Sequence, residues 1–127
     1  MSDTVTRKVR VRVEPRYLPK RSDPTRPLYF YAYRVTIINE GRRPVKLVNR
    51  YWHITDANGN VEEVRGPGVV GRQPRLKNKQ SFQYTSFCPL QTGFGVMQGW
   101  FEMVYDNGQR FEARISPFKL AVPFSVN

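Results

Sequence analysis

The sequence has few of the side chains that form disulfides, hold metals or act as nucleophiles. Cys88 is the one cysteine and His53 the one histidine, so the chain cannot form an internal disulfide and contains neither CxxC nor HExxH metal spacing. A nucleophilic Cys88 would need a base such as His53 beside it, and an inert thiol is the commoner case. We therefore predict a protein of a reducing compartment that is not an enzyme, with no catalytic residue, metal or cofactor.

Long apolar runs are also missing. No segment approaches the roughly 20 apolar residues that cross a bilayer, and residues 1–7 lack the apolar core of a secretion signal. We therefore expect a soluble, cytoplasmic protein with no membrane insertion. A chain of 127 residues can bury a core of its own, so we expect one domain over residues 1–127.

Acidic residues are scarce. The chain has 10 Asp and Glu against 21 Lys and Arg, a net charge of +11, and no acid lies between Glu63 and Glu102. A field of this sign attracts nucleotides, nucleic acids or acidic proteins. It also gives weak, unspecific nucleic-acid binding at low salt, and we do not expect specific recognition of nucleic acid. The charge is consistent with a solvated surface that has no dedicated partner, and equally with a binding surface.

What the sequence does have is apolar residues at alternate positions, the pattern of strands with one buried face. In the third predicted strand this face holds Val48, Trp52 and Ile54. No segment has a helical period. The seven predicted strands cover residues 9–13, 28–38, 45–56, 61–65, 81–86, 97–105 and 111–115, and an apolar segment at 118–124 follows. They predict an all-β fold, an immunoglobulin-like or fibronectin type III-like antiparallel β-sandwich.

The connections between these strands contain turn-forming residues. Asn58-Gly59 and Asn107-Gly108 predict type I′ hairpin turns. Glu14-Pro15 is expected to end the first strand. Residues 16–27 contain three prolines, and we predict a mobile loop there.

The first predicted strand has one apolar face and one basic face. Valines at positions 9, 11 and 13 alternate with Lys8, Arg10 and Arg12. We take Arg10 and Arg12, together with the edge strands of the sandwich, as candidate contacts for a protein partner.

Three glycines, Gly66, Gly68 and Gly71, have the G-x-G-x-x-G spacing of dinucleotide-binding loops. Such a site needs a helix after the glycines and an acidic residue about 20 positions on. Pro67 and Pro74 would break that helix, and the acid is missing. The segment is therefore predicted to be a connection between strands.

A weaker hypothesis for the same segment is anion binding. Arg65 and Arg72 flank the glycines, and backbone N–H groups in such a loop can form a nest for a phosphate or pyrophosphate. The alternative is a bulged turn whose basic rim serves solubility.

Two further sets of residues have a functional and a structural interpretation. Asp56, Glu62 and Glu63 could hold an ion, but neighbouring strand residues point to opposite faces, so we interpret them as surface charges of a hairpin. The alternating tyrosines at positions 29, 31 and 33 could stack on bases, but they are more typical of a packed sheet face.

Several segments together resemble the bacterial ApaG proteins. They are residues 49–59 (NRYWHITDANG), 64–71 (VRGPGVVG), 73–74 (QP), 82–86 (FQYTS) and 97–99 (MQG). Asn78 and Lys79 stand where the family usually has Pro-Gly. The resemblance covers nearly the whole chain and implies an immunoglobulin-like or fibronectin type III sandwich.

The resemblance also implies a biological setting. The family is associated with cobalt resistance and magnesium efflux, and with an operon that includes diadenosine tetraphosphate hydrolysis. Related domains in eukaryotic F-box proteins and in a polymerase-interacting protein imply a protein-binding module. The family supplies no catalytic residue. Our first hypothesis is a non-enzymatic interaction or regulatory domain, and the alternative is a nucleotide or pyrophosphate sensor that uses residues 65–72.

Overall fold

The computed structural model describes residues 1–123, and about two thirds of this range is strand. The strands are β1 Ser2–Thr6, β2 Val9–Tyr17, β3 Tyr29–Asn39, β4 Val45–Asp56, β5 Val61–Pro67, β6 Arg75–Leu76, β7 Ser81–Leu90, β8 Phe94–Tyr105 and β9 Arg110–Ala121. A single 3₁₀ turn, Pro19–Arg21, follows β2. No helix in this range is long and apolar enough to span a membrane. Of the predicted apolar segment 118–124, residue 124 lies outside the described residues.

The strands form two antiparallel sheets that pack face to face. The first sheet has the order β1-β2-β3-β7, and the second has the order β5-β4-β8-β9, with the short β6 also paired to β4. Without β1 and the two-residue β6, three strands face four. The predicted all-β sandwich of the immunoglobulin-like or fibronectin type III-like kind is confirmed.

The inner faces of the two sheets form the core. Trp52 of β4 lies between the sheets with its ring edge-on to Phe101 and Phe118, at centroid distances of 6.2 and 6.0 Å. Tyr31 and Tyr33 of β3 are also buried here, so the alternating tyrosines form a packed face. The side chains that are at most 1% exposed include Val11, Val35, Ile37, Leu47, Met97, Phe101, Ile115 and Leu120.

The N-terminal part departs from the prediction in two ways. Patterning gives no signal for β1, because Asp3 and Thr4 are polar, yet β1 pairs with β2 from Ser2↔Val13 onward. The prediction that Glu14-Pro15 ends the first strand is wrong, since β2 continues to Tyr17. Pro15 lies beyond the end of β1, where β2 is an edge that tolerates a residue without an N–H group.

The predicted buried face of β4 is wrong at one residue, Val48, because the strand has a bulge there. The pairing of β4 with β8 shifts between Leu47 and Asn49, so Val48 does not share the buried face of Trp52. Leu47 is buried instead. The shift leaves the Val48 carbonyl to accept hydrogen bonds from Gly68 and Gln73, which ties this bulge to the glycine-rich segment.

The two hairpin turns are not of type I′. Asp56 N–H donates to Asn60 O, Gly59 N–H donates to Asp56 O, and Gly59 alone in that turn has a positive φ, of 84°. This is a three-residue loop with a glycine bulge. The Asp56 carboxylate favours it by accepting from the Asn58 and Asn60 N–H groups at 2.8 and 3.0 Å. The turn at Gly108 has the same bonds.

Two other connections are well defined in their hydrogen bonds. In the segment predicted to be mobile, the Ser22 hydroxyl donates to Leu18 O and accepts from Phe30 N–H, both at 2.8 Å. Before β7, Gln80 N–H donates to Lys77 O, and Lys79 has φ 68°. A positive φ at the third position indicates a type II turn, for which Pro-Gly is the preferred pair.

Candidate functional site

The glycine-rich segment folds as a small hairpin at the end of β5. Val69 N–H donates to Arg72 O at 2.8 Å, and Arg72 N–H donates to Val69 O at 2.9 Å. Between them Val70 and Gly71 have φ of 45° and 78°, as a type I′ turn requires. The absence of a helix after these glycines in the described chain agrees with the prediction of a connection between strands.

Arg50 of β4 occupies the space beside these glycines. Its Nη1 donates to Pro67 O and to Gly68 O, both at 3.0 Å. A Cβ on Gly66 would lie 2.8 Å from Nη2 of Arg50, so Gly66 has no room for a side chain while the guanidinium stays in place. The carbonyl groups of the segment therefore surround a cation supplied by the chain itself.

The backbone N–H groups of the segment are partly engaged as well. Gly68 N–H donates to Val48 O at 2.8 Å, and the bonds between Val69 and Arg72 use two more. Gly68 has φ 60°, and a Cβ there would collide with Arg72 O. Each of the three glycines thus has a structural reason, and phosphate binding by this segment stays the weaker hypothesis.

The structure does not bring the two flanking arginines together. Arg65 lies over the Tyr51 ring with its Cζ 4.4 Å from the centroid, and it pairs with Glu63 at 3.7 Å. Arg72 instead lines a groove that it shares with Ser81 and Phe82 of the other sheet. Arg65 and Arg72 therefore lie in different surroundings on either side of the glycines.

The basic face of β2 is partly neutralised. Arg10 pairs with Asp3 and with Glu40, both at 2.9 Å, and Arg12 lies 3.4 Å from Asp3. Asp3, the acid that both arginines share, comes from β1, the strand that patterning missed. Arg12 is the more available cation of the two, because its side chain is 43% exposed against 27% for Arg10.

His53 and Cys88 lie apart. His53 is on the outer face of β4, next to the inward-facing Trp52, whereas Cys88 is buried in the core on the inner face of β7. Burial raises the pKa of the Cys88 thiol to about 12, so the group is a neutral thiol at physiological pH. The pair has no geometry for nucleophilic catalysis.

The acidic candidates are engaged in other contacts. Hydrogen bonds from Asn60, and from the N–H groups of Asn58 and Gly59, hold the pKa of Asp56 below its ordinary value. Glu63 accepts from the Tyr51 hydroxyl at 2.6 Å. Across residues 1–123, no three His, Cys, Asp or Glu side chains are grouped to hold a metal ion.

The outer face of the second sheet carries an aromatic cluster that sequence reasoning did not single out. Tyr51 and Trp100 stack with ring centroids 4.1 Å apart at an interplanar angle of 29°, and Arg65 covers the Tyr51 ring. We call Tyr51, Trp100 and Arg65 the outer-face cluster. A cavity of about 430 Å³ adjoins it, lined by Tyr51, His53, Gln98, Gly99, Trp100, Glu112, Arg114 and Ile115.

A sequence signal for the outer-face cluster did exist. Alternation in β8 points Phe101 and Met103 inward, which places Trp100 on the outside. Alternation in β4 likewise places Tyr51 opposite to Trp52. In the β4–β8 ladder Tyr51 lies opposite Trp100, which brings the two rings together. This pairing could not be predicted from either strand alone.

Comparison with known proteins gives consistent matches. A family model described as the ApaG domain matches residues 19–105. Protein ApaG of Allorhizobium ampelinum is 50% identical over 123 residues, 97% of this chain and 95% of that protein. Protein ApaG of Anaeromyxobacter dehalogenans is 49% identical over 127 residues, the whole of both chains.

Among solved structures, the crystal structure of the putative ApaA protein from Bordetella pertussis is similar to this fold. Its TM-score is 0.91 at 45% sequence identity, and the match covers 96% of this chain and 99% of that one.

Proposed function

This chain belongs to the ApaG domain family, and on that premise we propose that it is a non-enzymatic interaction and regulatory domain that binds another protein. The observation that carries the proposal is the outer-face cluster, in which Trp100 and Arg65 cover a Tyr51 ring that is only 7% exposed, so that the tryptophan and the arginine form the accessible surface. These three residue types dominate the binding energy of protein interfaces. None of the described residues packs a further layer over this face.

The cluster is prepared for binding by its own contacts. The hydrogen bond from the Tyr51 hydroxyl to Glu63 raises the pKa of Tyr51 and fixes the ring, and Trp100 supports its other side. Aromatic rings that are already held in place lose little conformational entropy on binding. The net charge of +11 favours a partner with an acidic surface, which the field would attract over long range.

The family resemblance connects this activity with cobalt resistance and magnesium efflux. We assign that role to the bound partner, an indirect route that is supported by the engagement of Asp56 and Glu63 in hydrogen bonds within the chain. Titration calorimetry with Co²⁺ or Mg²⁺ tests this assignment. Absence of heat supports the indirect route, and a stoichiometric heat contradicts it.

The test of the proposed function is affinity capture from native cell extract with matched variants. Trp100→Ala removes the centre of the outer-face cluster, and Phe94→Ala removes another exposed aromatic ring of the same strand, 42% exposed. Loss of a hot-spot side chain costs about 2 kcal/mol or more, roughly a thirtyfold loss of affinity. We expect one partner to bind the wild type and Phe94→Ala equally and Trp100→Ala weakly. Equal capture by all three would contradict the proposal, provided that amide spectra show all three folded.

A further inference from the structure

The edge strand β7 differs from the other three edges of the sandwich in the described chain. Its ten residues contain no charged side chain, and its register with β3 is continuous from Tyr29↔Leu90 to Ile38↔Ser81. Natural edge strands are normally protected by charges, prolines or bulges. β5 carries Glu62, Glu63 and Arg65, whereas β7 has only Pro89 near its end.

The opposite side of the sandwich is closed. There, β1 and β9 approach each other, and the Arg114 N–H of β9 donates to the Thr6 hydroxyl of β1 at 3.1 Å. The Thr4 and Ser116 hydroxyls are also hydrogen-bonded across this side. β7 has no such neighbour, because β3 is its only paired strand among residues 1–123.

The register shows which groups of β7 are free. Asn39 N–H donates to Gln80 O at 3.0 Å, and in an antiparallel ladder every second residue repeats this orientation. Even-numbered residues of β7 therefore bond to β3. The N–H and C=O groups of Gln83, Thr85 and Phe87 point away from the sheet. Pro89 has the same parity, which shows that a proline is accepted at these positions.

A cavity lies at each end of this free edge. The one beside Leu90 measures about 620 Å³ and has an apolar wall of Leu28, Ile54, Val61 and Pro89. Val61 is 55% exposed, although it is an aliphatic side chain. This cavity can receive an apolar anchor residue.

The groove at the other end, beside Ser81, measures about 590 Å³ and includes Arg72 and Arg75. Lys77 and Lys79 precede β7 directly. Arg75 pairs with Asp106 at 2.6 Å, whereas Arg72, Lys77 and Lys79 form no ion pair with any described residue. This end is therefore complementary to carboxylates.

From this arrangement we propose that β7 binds an extended peptide segment of a partner protein as an added antiparallel strand, with an apolar residue in the Leu90 cavity and acidic residues at the Ser81 end. The inference rests on the proposed function, since it names a second contact of the same partner-binding domain. Ten residues of strand span about 33 Å, which is enough to join both cavities. Main-chain hydrogen bonds to an exposed edge are an established mode of peptide recognition.

Charge decides between this occupant and a second copy of the chain. Pairing two copies through β7 would bring two chains of net charge +11 side by side, and this repulsion disfavours the dimer. An acidic segment instead gains attraction at the same place. The outward-facing Phe87, 48% exposed and covered by Arg21 at 5.1 Å, gives the added strand an apolar neighbour.

The test uses a synthetic probe on the intact protein. The probe has an N-terminal leucine, alternating valine and threonine in the middle and glutamates at its C-terminus, and the control peptide replaces the glutamates by lysines. We expect the acidic probe alone to give saturable amide shifts at Gln83, Thr85 and Phe87, and slower hydrogen exchange of these three N–H groups. Shifts spread over the whole surface, or equal shifts with both peptides, would overturn the proposal.

Variants at one exposed position sharpen the test. Thr85→Lys should strengthen binding of the acidic probe and Thr85→Glu should weaken it, each several-fold. Thr85→Pro removes an outward N–H group and should weaken it about tenfold, as expected for one lost hydrogen bond. A concentration-dependent dimer in sedimentation that Thr85→Lys and Thr85→Glu both abolish would instead identify a second copy as the occupant. Failure of the probe with successful capture through Trp100 would overturn this inference and leave the proposed function standing.

Discussion

The guanidinium of Arg50 lies against Gly66, close enough that a Cβ on the glycine would be 2.8 Å from Nη2. Arg50 and Gly66 face each other in the β4–β5 ladder. The glycine-rich segment is thus built around a cation from the neighbouring strand, and the spacing of its glycines has a structural cause before any ligand is considered.

A double-mutant cycle tests this relationship. Gly66→Ala should displace Arg50 and cost about 2 kcal/mol of stability, as expected when hydrogen bonds to a charged group are lost. In an Arg50→Ala background the same change should cost about 1 kcal/mol less, and urea unfolding measures this coupling. Gly71→Ala is the control, because its cost comes from φ 78° alone. Equal costs of Gly66→Ala in both backgrounds would contradict the account.

The turn beside it stores strain at Val70. A β-branched residue at φ 45° is unfavourable, and Val70 is 57% exposed, so it contributes little packing. Val70→Asn places the preferred Asn-Gly pair in this turn and should stabilise the protein by about 1 kcal/mol. Val61→Asn, an equally exposed valine in a strand, should give no gain. A denaturation midpoint that does not rise for Val70→Asn would argue against the turn geometry.

The buried thiol predicts a pH dependence. Burial raises the pKa of Cys88 from 9.0 to about 12, so above pH 9 the unfolded chain loses this proton while the folded chain keeps it. The stability due to this group is therefore complete below pH 9 and declines as the pH rises toward 12. Between pH 8 and 10 the wild type should lose about 1.4 kcal/mol relative to Cys88→Ala. Because both proteins contain the same tyrosines, the titration of those tyrosines cancels in the comparison. Parallel curves of unfolding free energy against pH would contradict the assignment.

The phosphate hypothesis gives a separate prediction. The N–H groups of Gly68, Val69 and Arg72 already donate within the chain, so we expect no saturable amide shifts in residues 65–72 with pyrophosphate or ATP at physiological salt. Phosphate acting through unspecific charge would move many surface amides together and disappear at high salt. Saturable shifts confined to Val70 and Gly71 would instead support the nucleotide sensor.

The fold was accessible from the sequence wherever alternation decided the outcome. Val11, Val35 and Ile37 alternate with polar residues, and all are buried. β1 was not accessible, because its residues show no apolar alternation and its place in the fold depends on pairing with β2. The bulge at Val48 also depends on pairing with β8.

The site was less accessible than the fold for a related reason. Alternation along β4 places Arg50 on the same inward face as Trp52, where an arginine is unexpected. Its position is explained only by the carbonyl groups of Pro67 and Gly68, which accept its hydrogen bonds. Arg10 looked free because its partner Asp3 belongs to the strand that patterning missed. Both features depend on contacts between segments that are distant in sequence.

The central claim is that the domain binds another protein through the outer-face cluster, and site-specific photo-crosslinking in living cells tests it most directly. A photoreactive phenylalanine analogue at Trp100 should give one discrete protein adduct, and the same analogue at the exposed Phe94 should give none. An absence of adducts at Trp100, or the same adducts from both positions, would contradict the claim.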